Sequence, residues 1–285
     1  MKVHSLRALF VNAVATFAVS TPLAYSATVT MKGLSSGPAA AIEAAVHAPT
    51  RSTKFLTRDA ARHPADELSF FGIKPDSSVV EIWPGGGYWT QILAPLLHDK
   101  GAYYLAMGNP AGDEVEAEFA LTSRFKAMLG AEPGVYDRVK ITKLGAHDAG
   151  MAPPGSVDFV LTFRNLHNWM DAGDTQVILT SIRRALKNGG YLCVEDHRGS
   201  TATEQDPQAK SGYVRQDYAI RLIEAAGFKL VASSEIDANP RDTANWPKGV
   251  WTLPPTLALG DKDRAKYEAV GEADNFVLKF QKVGG

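Results

Sequence analysis

The stretch from Val79 to Trp89, VVEIWPGGGYW, constrains the fold more than any other part of the chain. Its first residues are mostly apolar and β-branched, which suits a short buried strand. Three consecutive glycines, Gly85 to Gly87, then precede a segment with helical periodicity. Glycine lets the backbone adopt positive φ and come close to a ligand, and the free N–H groups of a helix start favour an electron-rich group. The pattern predicts a strand, a tight turn and a helix start, as in a nucleotide-type cofactor site.

The same stretch resembles motif I of the class I S-adenosylmethionine-dependent methyltransferases, which reads as an acidic residue, an apolar residue and G-x-G-x-G. On that pattern Glu81 is the acidic residue, and Gly85 and Gly87 are the second and third glycines. Trp83 replaces the first glycine, where the family lets the amino-acid end of the cofactor approach. The resemblance implies a cofactor-binding set of Glu81, Trp83, Gly85, Gly86, Gly87 and Tyr88. The alternative is a glycine turn that serves packing alone.

Further elements extend the resemblance over roughly residues 68–282. Asp148, in the loop after a predicted third strand, matches the acid that the family uses on the adenine amino group. The family's ribose-binding acid has no counterpart, because Met107 stands at its position; Asn109 or Asp113 are candidates to replace it. The passage LKNGGYLCVED resembles the family's LKPGG-x-L stretch. The chain is most similar to an exported group of predicted class I methyltransferases with the motif E-x-W-P-G-G-G-Y, in which the tryptophan is a trait of the group.

A second cluster of polar residues follows the predicted strand Val157–Phe163, in the sequence RNLHNWMD. Ligands bind at the carboxyl ends of the strands in open α/β sheets. An imidazole titrates near neutral pH, so His167 is a candidate general base, and Arg164 and Asn165 are candidates for holding an acceptor. The alternative for His167 is a structural hydrogen bond at a helix start.

Strand patterns alternate with helical patterns along the chain, which is typical of βαβ units with right-handed crossovers. A helix is predicted over Asp174–Lys187, with Asn188-Gly189-Gly190 as its cap. A proline-rich, irregular insertion covers residues 239–263, and Phe276–Phe280 is a last strand. Together with the resemblance, this order predicts an α/β fold: a doubly wound, mostly parallel seven-stranded sheet of the Rossmann-like methyltransferase type with a final antiparallel strand.

The first 26 residues have the pattern of a secretory signal. Lys2 and Arg7 precede an apolar run, Ala8–Val19, and small residues stand before Ala27. The run is shorter than the ~20 residues of a membrane span, although a retained anchor is the alternative. We expect a periplasmic or secreted protein, cleaved after Ser26, with no stable membrane anchor. The remaining chain is predicted to divide into a leader with covering helices over 27–67 and a methyltransferase-like domain over 68–285.

Composition and charge restrict the kind of partner. The 285 residues carry a net charge of −1, so the basic surface that nucleic acid requires is not indicated. The single cysteine, Cys193, lies among apolar residues and is expected to pack in the core. No H-x-x-x-H, H-E-x-x-H or paired-cysteine spacing occurs, so no metal site is predicted. A small-molecule or peptide partner is favoured by default.

The sequence therefore predicts an S-adenosylmethionine-dependent methyltransferase that acts on a small-molecule acceptor. The alternative is an exported small-molecule-binding protein on the same scaffold, without turnover. Trp83, the missing ribose acid and a compartment without an obvious supply of the cofactor motivate that alternative. A dehydrogenase is disfavoured because G-x-G-x-x-G and its ribose acid are both lacking.

Overall fold

The computed structural model describes residues 37–108, 123–144 and 150–284. The predicted signal segment and Asp148 lie outside these ranges. The strands of the described residues are β1 (Ser78–Ile82), β2 (Ala102–Met107), β3 (Lys140–Lys143), β4 (Val157–Phe163), β5 (Leu186–His197), β6 (Phe228–Ser234), β7 (Pro247–Val250) and β8 (Asn275–Lys282). In this part of the chain, all but β7 form one seven-stranded sheet in the order β3-β2-β1-β4-β5-β8-β6.

The pairing of the strands confirms the predicted fold class. Strands β1 to β5 pair in parallel, and β8 pairs antiparallel with both β5 and β6. Parallel neighbours need crossover connections, and helices supply them. The helices are α1 (Pro38–Val46), α2 (Thr53–Leu56), α3 (Asp59–Arg62), α4 (Pro64–Phe71), α5 (Thr90–Leu97), α6 (Ser123–Ala131), α7 (Pro133–Tyr136), α8 (Leu166–Ala172), α9 (Thr175–Ala185), α10 (Gln216–Ala225) and α11 (Arg264–Val270). Among the described residues, no helix is long and apolar enough to cross a membrane.

The sheet separates two hydrophobic layers because successive side chains of a strand face opposite sides. In β1, Val80 belongs to one layer and Val79 to the other. The apolar face of α9 packs in the first layer, and α5 packs in the second. Cys193 is a free thiol, fully buried in the second layer, as its apolar neighbours predict. Helices thus cover both faces of the sheet, which is the doubly wound arrangement.

The end of α9 differs from the prediction. The helix stops at Ala185, and Asn188-Gly189-Gly190 do not cap it but lie inside β5. Leu186 is fully buried and already pairs with Val157, so burial in the sheet outweighs one more helical residue. The next pair joins Phe159 to Tyr191, so between the two pairs β5 advances by five residues and β4 by only two. Gly189, with φ of +75°, permits this bulge.

The proline-rich insertion has a small core of its own. Leu253 is fully buried there and packs in one cluster with Tyr213 and Tyr267. The Tyr213 hydroxyl donates to the Asp242 carboxylate at 2.9 Å, which fixes the start of the segment. The insertion carries Trp251 to within 6.1 Å of His167, measured between ring centroids. This segment therefore forms a wall beside the polar cluster that follows β4.

Candidate active site

The turn after β1 forms one side of the site. Trp83, Gly85 and Gly87 have φ of +47°, +56° and +90°. Glycine adopts such left-handed values freely, whereas other residues adopt them at a cost of roughly 1–3 kcal/mol. Trp83 therefore keeps the backbone conformation that favours glycine at this position, and packing of its side chain offsets the cost.

The Trp83 side chain lies over the end of β2. Its indole is 6% exposed and packs edge-on against Trp169, with ring centroids 6.4 Å apart. The indole Nε1 donates to the carbonyl oxygen of Gly108 at 2.8 Å. Gly108 directly follows Met107, the position at which the resemblance expects a ribose-binding acid. The indole thus covers the strand end where that acid would act.

The three glycines of the turn have different surroundings. A Cβ placed on Gly85 would have no other atom within 4 Å, and one on Gly86 would contact Phe55 at 3.5 Å. A Cβ on Gly87 would meet Met128 and Phe125 at 3.0 and 3.1 Å. Gly87 therefore packs against α6, whereas Gly85 and Gly86 line a cavity.

That cavity, the glycine-turn cavity, has a volume of about 240 Å³. It brings together most of the site residues predicted from the sequence: Glu81, Trp83, Gly85, Gly86, Tyr88, Arg164 and Asn165. Trp89 and Phe163 form an aromatic wall, with rings stacked at a centroid distance of 4.0 Å. The Trp89 Nε1 is buried and has no hydrogen-bond partner among the described residues. This wall is suited to a flat or cationic ligand group.

Glu81 is a buried carboxyl group at the inner end of the cavity. Its Oε2 accepts hydrogen bonds from the hydroxyls of Tyr103 and Thr90, the latter at 3.0 Å. Burial raises the pKa of Glu81 to about 7, although these two hydrogen bonds oppose the change. Glu81 therefore ties β1 to β2 and to the start of α5.

Because the pKa of Glu81 rises from 4.5 in the unfolded chain to about 7 on folding, it makes stability depend on pH. The folding penalty is absent below pH 4.5, grows up to pH 7 and is complete above it. We expect Glu81→Gln to raise the free energy of unfolding at pH 8 by about 3 kcal/mol, with no gain at pH 4. Urea unfolding at several pH values measures this. Glu268→Gln, at an exposed site on α11, is the control. If the free energy of unfolding of both variants depended on pH in the same way, the pH dependence could not be attributed to Glu81.

Helices α2 and α3 cover the cavity and are tied to the glycine turn by Tyr88. The Tyr88 hydroxyl donates to Asp59 at 2.7 Å, and Arg51 donates to both oxygens of Asp59 at 2.7 and 2.8 Å. Burial and this contact with Asp59 hold the pKa of Tyr88 well above its usual range. The Arg62 guanidinium lies 4.5 Å from the Tyr88 ring centroid. Tyr88 therefore holds the cover, formed by α2 and α3, against the glycine turn, and the Arg62 guanidinium already lies over its ring.

Three arginines, named here the arginine cluster, meet at Glu272 at the edge of the cavity. Arg58 donates to both oxygens of Glu272 at 2.6 and 2.7 Å. Arg62 and Arg164 donate to the same carboxylate at 3.4 and 3.3 Å. Among the described residues, the terminal nitrogens of Arg62 make no hydrogen bond, and its side chain is only 5% exposed. The cluster therefore retains positive charge and spare donors.

His167 and Asp196 form a buried pair at the carboxyl ends of β4 and β5. The two side chains meet at 2.8 Å, between Nδ1 and Oδ1, and the His167 backbone N–H donates to Oδ2 at 3.0 Å. Burial opposes ionisation of Asp196, but His167 and His197 outweigh it and keep the pKa of Asp196 below its usual value. An ionised carboxylate only accepts, so Nδ1 carries a hydrogen, and Nε2 is the acceptor in the neutral form of the imidazole.

His167 lines a second cavity, named here the histidine cavity, of about 260 Å³. Arg58, Arg62 and Arg164 line both cavities, so the two are adjacent. His197, another lining residue, has a pKa lowered by burial to about 3 and is uncharged at neutral pH. Trp251 closes the opposite side. The pair formed by His167 and Asp196 thus stands beside a space for a small molecule.

Arg164 and Asn165 fix the exit of β4. Arg164 has φ of +60°, and its backbone N–H donates to the carbonyl oxygen of Glu195 at 2.7 Å. The Asn165 Nδ2 donates to the carbonyl oxygen of Ile82 at 3.0 Å, which joins the ends of β4 and β1. Sequence reasoning assigned no role to Glu272. For Asp196, at the charged exit of the strand YLCVE, it offered a place in the lining of a substrate pocket, with a solvated loop charge as the alternative.

Solved structures resemble this chain, although no model of a known protein family and no curated protein matches it. A SAM-dependent methyltransferase from Aquifex aeolicus superposes with a TM-score of 0.52 at 16% identity, over 81% of this chain and 98% of its own. The 4+2 cyclase SpnF superposes with a TM-score of 0.52 at 16% identity, over 78% of this chain and 82% of its own. The chain therefore has the class I methyltransferase fold. Since the fold is found in a methyltransferase and in a cyclase, the reaction must be argued from the site.

Proposed function

We propose that this protein is an S-adenosylmethionine-dependent methyltransferase that acts on a small-molecule acceptor. The observation that carries the proposal is the buried pair of His167 and Asp196, in a cavity adjacent to the open glycine turn. Methylation of an oxygen or nitrogen requires a proton to leave the acceptor, and this pair offers an oriented base. The methyltransferase among the structural neighbours supports the same reaction class.

The glycine-turn cavity fits the amino-acid part of the cofactor. Open space at Gly85 permits a close approach to the backbone, and Trp89 offers a buried N–H without a partner. Arg62 supplies a cationic donor for the carboxylate of the cofactor. When bound there, S-adenosylmethionine would supply an electrophilic methyl group. The family's contact between Asp148 and adenine stays a prediction.

The residues around the histidine cavity accept the proton and orient the acceptor. Asp196 fixes the tautomer of His167, so that Nε2 can accept a proton from the acceptor. The Asp196 carboxylate then stabilises the imidazolium that forms. Trp251 and the arginine cluster limit how an acceptor can lie against His167. Orientation of the two reactants is the main contribution that such a site makes.

The arginine cluster favours an acceptor that carries an anionic group. Its three guanidinium groups face two carboxyl groups, Glu272 and, at 3.9 Å from Arg164, Glu195, so one more anion can be neutralised there. Arginine binds carboxylate and phosphate groups through paired N–H donors. We therefore infer a small acceptor with a carboxylate or phosphate beside its nucleophilic atom.

Two measurements test the proposal. Calorimetric titration with S-adenosylmethionine should give saturable binding, and methyl transfer from labelled cofactor to a metabolite extract should give a labelled product. Anionic candidate acceptors should react better than their neutral amides. Binding without transfer to any acceptor would favour the alternative, a binding protein without turnover. The pair of His167 and Asp196 has no catalytic role in that alternative. Absence of S-adenosylmethionine binding would contradict the methyltransferase proposal.

We also propose that the protein is exported, from the signal pattern of residues 1–26. The proposal rests on Lys2, Arg7 and the apolar run after them. Protein made in a Gram-negative host should appear in the periplasmic fraction with Ala27 at its amino terminus. Mass spectrometry checks this, and an intact Met1 in the cytosol would contradict it.

A further inference from the structure

Three buried carboxyl groups come together beside the arginine cluster. Glu67 lies on α4, Glu195 near the end of β5, and Asp237 just after β6. One carboxylate oxygen of each lies within 4.8 Å of the other two. Their exposed fractions are 0%, 1% and 4%, so water does not screen them from one another.

Several oxygens of this carboxyl cluster have no partner. Both oxygens of Glu67, Oε2 of Glu195 and Oδ2 of Asp237 are buried and accept no hydrogen bond from an N–H or hydroxyl group within the described ranges, although the side chains of Glu67 and Asp237 are close enough to share a proton. The remaining two oxygens are satisfied: Glu195 Oε1 accepts from Asn275 at 3.0 Å, and Asp237 Oδ1 pairs with His63 Nδ1 at 2.9 Å. A buried carboxylate without a partner costs several kcal/mol. Four such oxygens in one cluster indicate that shared protons or a cation belong among them.

Neighbouring cations compensate the charge only in part. Arg164 reaches Glu195 at 3.9 Å but is shared with Glu272, and His63 is 41% exposed. Without a further cation, carboxyl groups that are buried this close together would have to retain protons between them. The choice is between shared protons and a bound metal ion.

We propose that Glu67, Glu195 and Asp237 bind a divalent cation, with Ca²⁺ preferred. A set of ligands made only of carboxylate oxygens suits a hard cation rather than a thiolate- or imidazole-preferring metal. Two oxygens that both bind Ca²⁺ at about 2.3–2.6 Å lie at most about 5 Å apart, which accommodates the observed spacing. Mg²⁺ keeps several waters, for which a fully buried cluster is unsuited. The ion would join α4 to the exits of β5 and β6.

The positions of the three ligands along the chain explain why the sequence shows no metal-binding motif. They come from three elements that are separated by 128 residues (195 − 67) and 42 residues (237 − 195). Only the fold brings them together. The site is separate from the proposed methyl transfer, and its test does not require activity.

The unaltered full chain decides the proposal. After purification and dialysis at pH 7, elemental analysis should find about one calcium per chain. Addition of saturating Ca²⁺ to protein stripped with EDTA should raise the melting temperature by about 5 °C or more, and Mg²⁺ should raise it less. No bound calcium and no Ca²⁺-dependent shift in the melting temperature would overturn the proposal.

A substitution distinguishes the ion from shared protons. Glu67→Gln keeps the volume of the side chain and removes its charge. With a bound ion, the variant melts below the unaltered protein in Ca²⁺ and loses the Ca²⁺-dependent shift. With shared protons, it melts at or above the unaltered protein in both Ca²⁺ and EDTA, which would overturn the proposal. Asp237→Asn is the second variant should the first fail to fold, and Glu43→Gln on the exposed face of α1 is the control that keeps the shift.

Discussion

Gly85→Val should abolish the binding of S-adenosylmethionine to a protein that still folds, with affinity at least about 100-fold weaker. Gly85 lines the glycine-turn cavity, and a Cβ added to it would stand in open space with no other atom of the chain within 4 Å. We expect the added methyl groups to take up space that the cofactor needs for its approach to the backbone. The backbone at φ of +56° adds a cost of about 1–3 kcal/mol for a branched residue. Calorimetry measures the affinity, and circular dichroism confirms the fold.

Gly155→Val is the matched control for the cost of the backbone. Gly155 has φ of +62° and equally open surroundings. It precedes β4, however, and so lies at the amino ends of the parallel strands, whereas Gly85 lies at their carboxyl ends. We expect this variant to lose a similar amount of stability and to bind S-adenosylmethionine normally. If the unaltered protein and Gly85→Val bind the cofactor equally well, the glycine turn is a packing device and the cofactor site lies elsewhere.

His167→Ala should lower the rate of methyl transfer by about 100-fold or more while the affinity for S-adenosylmethionine stays within a few-fold. The physical reason is that Nε2 of His167 is the acceptor for the proton that leaves the substrate, and Asp196 holds it in that form. Single-turnover kinetics with saturating cofactor measure the rate of transfer.

His98→Ala is the control for loss of a histidine that pairs with carboxylates. His98 contacts Asp99 and Asp137 at 2.8 and 2.9 Å, and it lines neither cavity. This variant should transfer methyl groups at the normal rate. Should His167→Ala lose stability but keep the normal rate per folded molecule, His167 has the structural role that the sequence left open.

Features of the site that depend on residues close together in the sequence could be predicted. The succession of strand, glycine turn and helix from Val79 onward is local, and most residues of its turn, though not Gly87, line one cavity. The mostly parallel sheet with its last strand antiparallel is also as predicted. The replacement of a glycine by Trp83 was visible, but the left-handed backbone there, and the contact of the indole with Gly108, depend on packing across the sheet.

Pairs that are distant along the chain could not be predicted. Asp196 follows His167 by 29 residues, and Glu272 follows Arg58 by 214. No periodicity or spacing relates such residues, because their contact depends on strand order and on the docking of the cover. The end of α9 was missed for a similar reason: the pairing of Leu186 with a neighbouring strand decides it.

The position of β8 has a consequence for the order in which the molecule can be assembled. β8 follows every other strand in the sequence, yet it lies between β5 and β6 and is hydrogen-bonded to both. Until it is inserted, each of those strands presents an open edge, which favours pairing with other chains. Glu272, on which the arginine cluster converges, stands three residues before β8. Docking of β8 therefore completes the sheet and brings Glu272 to the site together, so we expect a chain in which β8 is not docked to expose two strand edges and to lack this part of the site.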